Sequence, residues 1–168
     1  MQALVERQFD VIVGAPADFT QTERDAFIQL VRAGGEVGGT VLEQRVSEAK
    51  ALVVLKLDGQ ISGIAALKTP AESYRKRISK SARAELPAAA YPYELGYVFI
   101  VESARGQKLS GKLVTNALAG VLDTGVFATA RTDNDAMNAA LCKAGFVKAG
   151  EPYLGRNKRH LHIFVRPA

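Results

Sequence analysis

Residues 105–113 read Arg-Gly-Gln-Lys-Leu-Ser-Gly-Lys-Leu and follow an apolar run that ends near Val101. Glycines, a hydroxyl and cations between a strand and a helix suit the binding of an anion. The first N–H groups of a helix lack intrahelical partners, and its dipole favours negative charge there. From Gly106 to Lys112 the stretch spells Gly-x4-Gly-Lys, the phosphate loop of nucleoside-triphosphate-binding proteins. That chemistry needs Ser or Thr next, for the magnesium shell, and the residue here is Leu113. Four residues, Glu102 to Arg105, also separate the run from Gly106, and no separate apolar strand ending in Asp follows at a suitable distance. A triphosphate loop is set aside. The informative part begins one residue earlier, at Arg105. Other residue types with chemical potential carry less. His160 and His162 alternate on a strand and share a face, but no Asp, Glu or Cys pattern joins them, so no metal is expected. Cys142 reads as a small buried residue of a helix.

The elements that must position this loop follow from periodicity. Residues 9–14 read as a strand. A helix follows, with Thr20 and Glu23 as a capping box, Phe27, Leu30 and Val31 on one face, and Gly34 as its stop. Residues 34–39, Gly-Gly-Glu-Val-Gly-Gly, read as a flexible loop. Strands at 51–57 and 61–68 flank Asp-Gly-Gln, a hairpin signal. Residues 72–86 are weakly patterned as a helix that 87–92 breaks. The run 93–102 reads as a strand buried on both faces. Leu109, Leu113, Val114, Ala117, Leu118, Val121 and Leu122 then recur at helical spacing. A strand at 125–131 leads to a helix capped by Asp133 or Asn134, with Ala136, Met137, Ala140, Leu141 and Ala144 on one face and Gly145 at its end. Residues 146–151 and 159–166 read as closing strands. The fold class is α/β in the α+β sense: one domain over 1–168, with a mixed, mostly antiparallel sheet flanked by helices.

The stretch 93–146 resembles the GNAT superfamily of acyl-CoA-dependent N-acyltransferases. The family's pyrophosphate motif is Arg/Gln-x-x-Gly-x-Gly/Ala between a strand and a helix, and Arg105-Gly106-Gln107-Lys108-Leu109-Ser110 matches it in layout. Asn134, about a dozen residues before Gly145-Phe146, matches a second family feature, and the element order agrees along nearly the whole chain. The departures are Lys108 and Ser110 at the motif's two glycine positions. Glycine there lets the backbone approach phosphate or turn freely. A lysine adds an ammonium or weakens the grip. The resemblance implies the GNAT fold, with acetyl-CoA as co-substrate and direct attack of an amine on the thioester in a ternary complex. It implies cofactor contacts from Phe99, Ile100, Val101, Arg105, Gly106, Gln107, Lys108, Leu109, Ser110, Gly111 and Asn134. The backbone N–H groups around Val98 to Val101 would serve the thioester carbonyl and the pantetheine arm.

The family often places a basic Glu on or near its central strand, and Glu94 stands there. It is read either as that base, facing a cleft, or as a solvent-facing carboxylate at a strand end. Tyr91 and Tyr93 flank it and could shape an acceptor pocket. The family's usual proton donor, a Tyr on the helix before Gly-Phe, is Leu141 here, and Tyr153 stands in only if the fold brings it near. The departures leave open a non-catalytic GNAT-like binding protein.

Composition narrows the setting. The chain has 168 residues, 48% hydrophobic and 23% charged, with room for a real core. No apolar stretch approaches a membrane span and the N-terminus does not read as a secretory signal. One cysteine cannot form an internal disulfide, so a cytoplasmic setting is expected. The net charge of +5 favours an anionic partner, and residues 74–83 hold five of the 22 basic residues. That segment keeps an RNA- or aminoacyl-tRNA-directed acetyltransferase in view, although it lacks interleaved aromatics beyond Tyr74. The acceptor, whether small molecule, peptide or protein, is not specified, and a homodimer is compatible with the sequence.

Overall fold

The computed structural model describes residues 8–35 and 41–168. Seven strands form one sheet: β1 (Phe9–Gly14), β2 (Ala51–Leu57), β3 (Gln60–Lys68), β4 (Tyr93–Ile100), β5 (Val126–Arg131), β6 (Val147–Leu154) and β7 (His160–Arg166), in the spatial order β1-β2-β3-β4-β5-β7-β6. Every neighbouring pair is antiparallel except β4 and β5. The mixed, mostly antiparallel sheet expected from the sequence is thus observed.

Among the described residues five α-helices pack on it: α1 (Gln21–Ala33), α2 (Val41–Ser47), α3 (Glu72–Ala82), α4 (Leu109–Leu118) and α5 (Asp135–Lys143). In α1 the Thr20 hydroxyl accepts from the Glu23 N–H at 3.1 Å, while the Glu23 carboxylate accepts from the Thr20 N–H at 3.0 Å. The expected capping box is formed. The Asp58-Gly59 turn between β2 and β3 has both residues at positive φ, 50° and 82°. That geometry matches the twist of a tight hairpin. α2 was not expected from its short pattern. The predicted loop at 34–39 falls mostly outside the described residues, which include only Gly34 and Gly35 of it.

Two layers of core lie on the sheet. Leu109, Leu113, Val114, Ala117 and Leu118 of α4, with Met137, Ala140 and Leu141 of α5, pack on one face. The other face is covered by α1 and α2 over β2–β4, and by α3 over β5–β7. Several expectations need correction. α4 ends at Leu118, and although Val121 still reaches the core, Leu122 is 64% exposed. α3 ends at Ala82, where Arg83 takes a left-handed conformation. Ala136 is exposed, and so is Cys142, which lies off the apolar stripe of α5. β4 stops at Ile100, and its second half is only half-buried rather than covered on both faces.

Candidate active site

β4 and β5 pair for only three residues, Tyr93 with Val126, Glu94 with Phe127 and Leu95 with Ala128. Beyond that the two strands carry no ladder between them. β4 bulges against β3 between Gly96 and Phe99. Within the bulge Tyr97 has φ 54°, a backbone conformation costly for a bulky residue (about 1–3 kcal/mol) and found where packing enforces it. Parallel strands joined through a helix leave a crevice outside their carboxyl ends. Here the strands part after Leu95 and Ala128, and the N-termini of α4 and α5 follow their two ends.

The loop into α4 fits an anion. Gly106 has φ 83°, and a Cβ on Gly106 or Gly111 would meet nothing within 4 Å. Lys108 is the N-cap of α4, at φ 57° and ψ 32°, with no side-chain capping bond. The lysine therefore adopts the left-handed conformation for which glycine is suited. The left-handed turn is formed with lysine in place of glycine. Arg105 turns back, its Nε donating to the Ile100 carbonyl at 3.0 Å, with the guanidinium 5.6 Å from the Phe99 ring centroid. Gln107 donates weakly to the Ala104 carbonyl at 3.4 Å. Ser110 is half-buried at the first turn. Leu113 is fully buried, so the position after Lys112 faces core and offers nothing to a metal.

Other expected contacts divide. Leu109 is 1% exposed, so its side chain anchors the loop in the core. The Val101 N–H donates to the Ser62 carbonyl at 2.9 Å and is committed to β3, which removes it from the N–H groups expected to serve a ligand. Phe99 packs with the α1 side of the core, while Val98 and Ile100 pack on the α4 side. Asn134 caps α5, its Oδ1 accepting from the Met137 N–H at 3.2 Å.

The other face of the sheet holds a polar cluster at the parting of the strands. Glu94 is 2% exposed. Its Oε2 accepts from the Tyr74 hydroxyl at 2.6 Å, and its Oε1 lies 2.8 Å from Lys68 Nζ. The solvent-facing reading of Glu94 is thereby corrected: its carboxylate is buried and has two partners of its own. Burial, then the charge of Glu94, holds the Tyr74 phenol well above its ordinary pKa. The same two causes raise Tyr153, opposed by Arg77, and the Tyr153 hydroxyl is buried without a well-formed hydrogen bond. Thr129 of β5 lies close to both phenols. The fold therefore does bring Tyr153 to Glu94, while Leu141 is fully buried in the core.

Tyr93 packs against the opposite face, with Lys50 Nζ 6.0 Å from its ring centroid. Consecutive strand residues point to opposite faces, so Tyr93 cannot flank the Glu94 carboxylate. Tyr91 lies before β4 and lines a separate surface depression with Asp123, Thr124 and Pro167. The expected pocket of Tyr91 and Tyr93 around Glu94 is replaced by Lys68, Tyr74, Tyr97 and Tyr153. The sequence carried one signal for Lys68, a lone cation closing an apolar strand. It carried none for the register that sets it against Glu94.

The basic segment is also less of a surface patch than its composition suggested. Arg75 is 4% exposed, donating to the Leu86 and Tyr91 carbonyls at 3.3 and 2.7 Å. Among the described residues no three His, Cys, Asp or Glu side chains stand together as a metal site would require, and no helix is long and apolar enough to cross a membrane.

No protein-family model matches the chain, and no curated protein does. Solved structures do. An acyl-CoA N-acyltransferase from Pseudomonas aeruginosa aligns over 95% of this chain and 99% of its own, at 21% identity and a TM-score of 0.67. A GNAT-family acetyltransferase from Streptococcus pneumoniae aligns over 95% and 99%, at 15% identity and 0.60. N-acetylglutamate synthase from Neisseria gonorrhoeae, solved with coenzyme A and L-arginine, aligns over 94% of this chain and 33% of its own, at 20% identity and 0.59. With its parted β4–β5 pair and the open turn into α4, the chain has the fold of the GNAT acyl-CoA N-acyltransferases.

Proposed function

We propose that the chain is an acyl-CoA-dependent N-acyltransferase that carries an acetyl group to an amine in a ternary complex. The observation that carries this reading is the short β4–β5 pairing, which ends at Leu95 beside a buried carboxylate and leads to a helix N-terminus with no side-chain cap. Acyl-CoA supplies the activated acyl group as a thioester. Arg105, Lys108 and the backbone of Gly106–Gly111 would hold its diphosphate, and Asn134 would stand beside its arm at the start of α5. The strand edge from Gly96 to Ile100, unladdered towards β5, offers polar backbone to the thioester carbonyl.

The polar cluster on the other face handles the amine. Glu94 holds a cation near the parting of the strands and can take its proton; Tyr74 fixes the carboxylate by donating to it. Tyr153, held neutral, can donate a hydrogen bond to the carbonyl oxygen or the departing sulfur. Arg77 adds a clue to the acceptor. It is half-buried, 5.4 Å from the Tyr74 ring centroid, and has no carboxylate partner among the described residues. The turn after Tyr153 adds Arg156, Lys158 and Arg159, all exposed. A positive rim favours an amine that also carries a carboxylate.

Calorimetric titration with coenzyme A, followed by thiol release from acetyl-CoA across a panel of amines, tests the proposal. Binding in the micromolar range with amine-dependent thiol release is expected. Absence of binding at millimolar coenzyme A would sink it. Buried Leu141 and the closed Glu94 favour a second reading, a non-catalytic binding protein of the same fold, for which coenzyme A binds but no amine releases thiol.

A further inference from the structure

Lys68 ends β3 and faces Glu94 across the ladder. Its side chain crosses Gly96 so closely that a Cβ there would lie 2.6 Å from Lys68 Cδ. Its Nζ stands 2.8 Å from Glu94 Oε1, 4.4 Å from the Tyr97 ring centroid and 5.8 Å from that of Tyr74. A buried carboxylate and two aromatic faces make a seat for an ammonium. The seat adjoins the point where β4 leaves β5, on the face where an acceptor amine would approach. The chain has placed a primary amine of its own there, and it is 22% exposed rather than sealed.

We propose that Lys68 is an acyl acceptor of its own site, so that the chain acylates itself at this position. The inference rests on the acyl-CoA reading above. In the step, Lys68 gives one proton from its ammonium to Glu94, which becomes a carboxylic acid. The Nζ lone pair forms a bond to the thioester carbonyl carbon, the carbon–sulfur bond breaks, and a second Nζ proton goes to the sulfur. The products are an amide on Lys68, the free thiol of coenzyme A and protonated Glu94, whose proton passes to solvent. Acylation removes the ammonium and dissolves the ion pair, so the modified chain holds Glu94 through Tyr74 alone. Self-acylation would thereby lower transfer to external amines.

The test incubates the full chain with acetyl-CoA and maps acetylated peptides by mass spectrometry over time. Lys68 should acquire an acetyl group at a rate independent of protein concentration and at least ~10-fold above exposed Lys76 and Lys80. Lys68→Arg, which keeps a cation beside Glu94, should remove that fast phase, and Glu94→Gln should slow it on the order of 100-fold. A readout without the thioester comes from trace labelling with acetic anhydride. Coenzyme A should shield Lys68 and leave Lys76 and Lys80 unchanged. Labelling of Lys68 no faster than exposed lysines, a rate that rises with protein concentration, or no shielding by coenzyme A would overturn the inference. Calorimetry on the same samples separates the two levels. If coenzyme A binds and Lys68 stays unmodified, self-acylation falls and the acyltransfer reading stands; if coenzyme A does not bind, both fall.

Discussion

Replacing Lys108 with glycine should make the protein more stable and its grip on coenzyme A weaker. Lys108 sits at φ 57° and ψ 32° as the N-cap of α4. The left-handed conformation costs an L-residue with a side chain about 1–2 kcal/mol. Glycine escapes that cost but loses more backbone freedom on folding, a penalty of roughly 0.5–1 kcal/mol. Removing a cation from a helix N-terminus adds a further favourable fraction. The sum is a stabilisation of about 1 kcal/mol, which for a chain of this size raises Tm by ~2–4 °C. Binding should move the other way. The backbone already holds the conformation that a glycine would take, so the lysine takes nothing from the cradle and adds an ammonium beside the diphosphate. The loss of affinity should be about 10-fold at low ionic strength, worth ~1.4 kcal/mol, and should shrink as salt screens it. Thermal melts and calorimetric titration at two salt concentrations measure both. A lower Tm in Lys108→Gly, or tighter binding at low salt, would refute the reasoning.

Tyr74→Phe removes the hydroxyl that donates to Glu94 Oε2 and should cost about 1.5–3 kcal/mol, the range for a hydrogen bond to a charged group, measured by urea denaturation. Tyr74 and Tyr153 both have raised pKa values in the folded chain. Their stabilising contribution is complete below the unfolded phenol value near 10 and is lost as pH rises above it, because only the unfolded chain ionises there. In a phenolate absorbance titration these two should ionise only with unfolding; reversible ionisation of all tyrosines in the folded state would contradict this. Gly125→Ala should cost on the order of 3 kcal/mol, since a Cβ there collides with the Ala90 carbonyl, a backbone atom that cannot swing away. Arg77→Leu should raise KM for a carboxylate-bearing amine by roughly 10-fold while leaving its neutral amide unchanged, since about 1.4 kcal/mol of charge-assisted contact is removed.

Much of the scaffold could be read from local signals. The Thr20–Glu23 box, the Asp58-Gly59 turn and Gly145 at the end of α5 each act within a few residues, and each formed as expected. The turn into α4 was legible for the same reason: its pattern lies in consecutive residues. The cluster proposed to receive the acceptor was not. Lys68, Tyr74, Glu94 and Tyr153 come from β3, α3, β4 and β6, and only the sheet register and the packing of α3 bring them together. Sequence adjacency even misled, since Tyr93 beside Glu94 points to the other face. Burial of β4 on both faces failed at Gly96, because an apolar sequence does not reveal that its neighbour strand turns away.

Among the described residues, the β4–β5 pairing is also the only backbone ladder joining β1–β4 to β5–β7. Three residue pairs are a weak seam, supported otherwise by α4, α5 and α3. Amides of Gly96–Ile100 and Thr129–Arg131 that face the gap should exchange with deuterium through small local openings, well below the cost of global unfolding. A ligand lodged between the two halves would act as a rivet, raising the melting temperature with its concentration and slowing exchange on both strands together. The gap proposed to take the ligand is thus the weak joint of the sheet, and filling it would make the two halves melt as one.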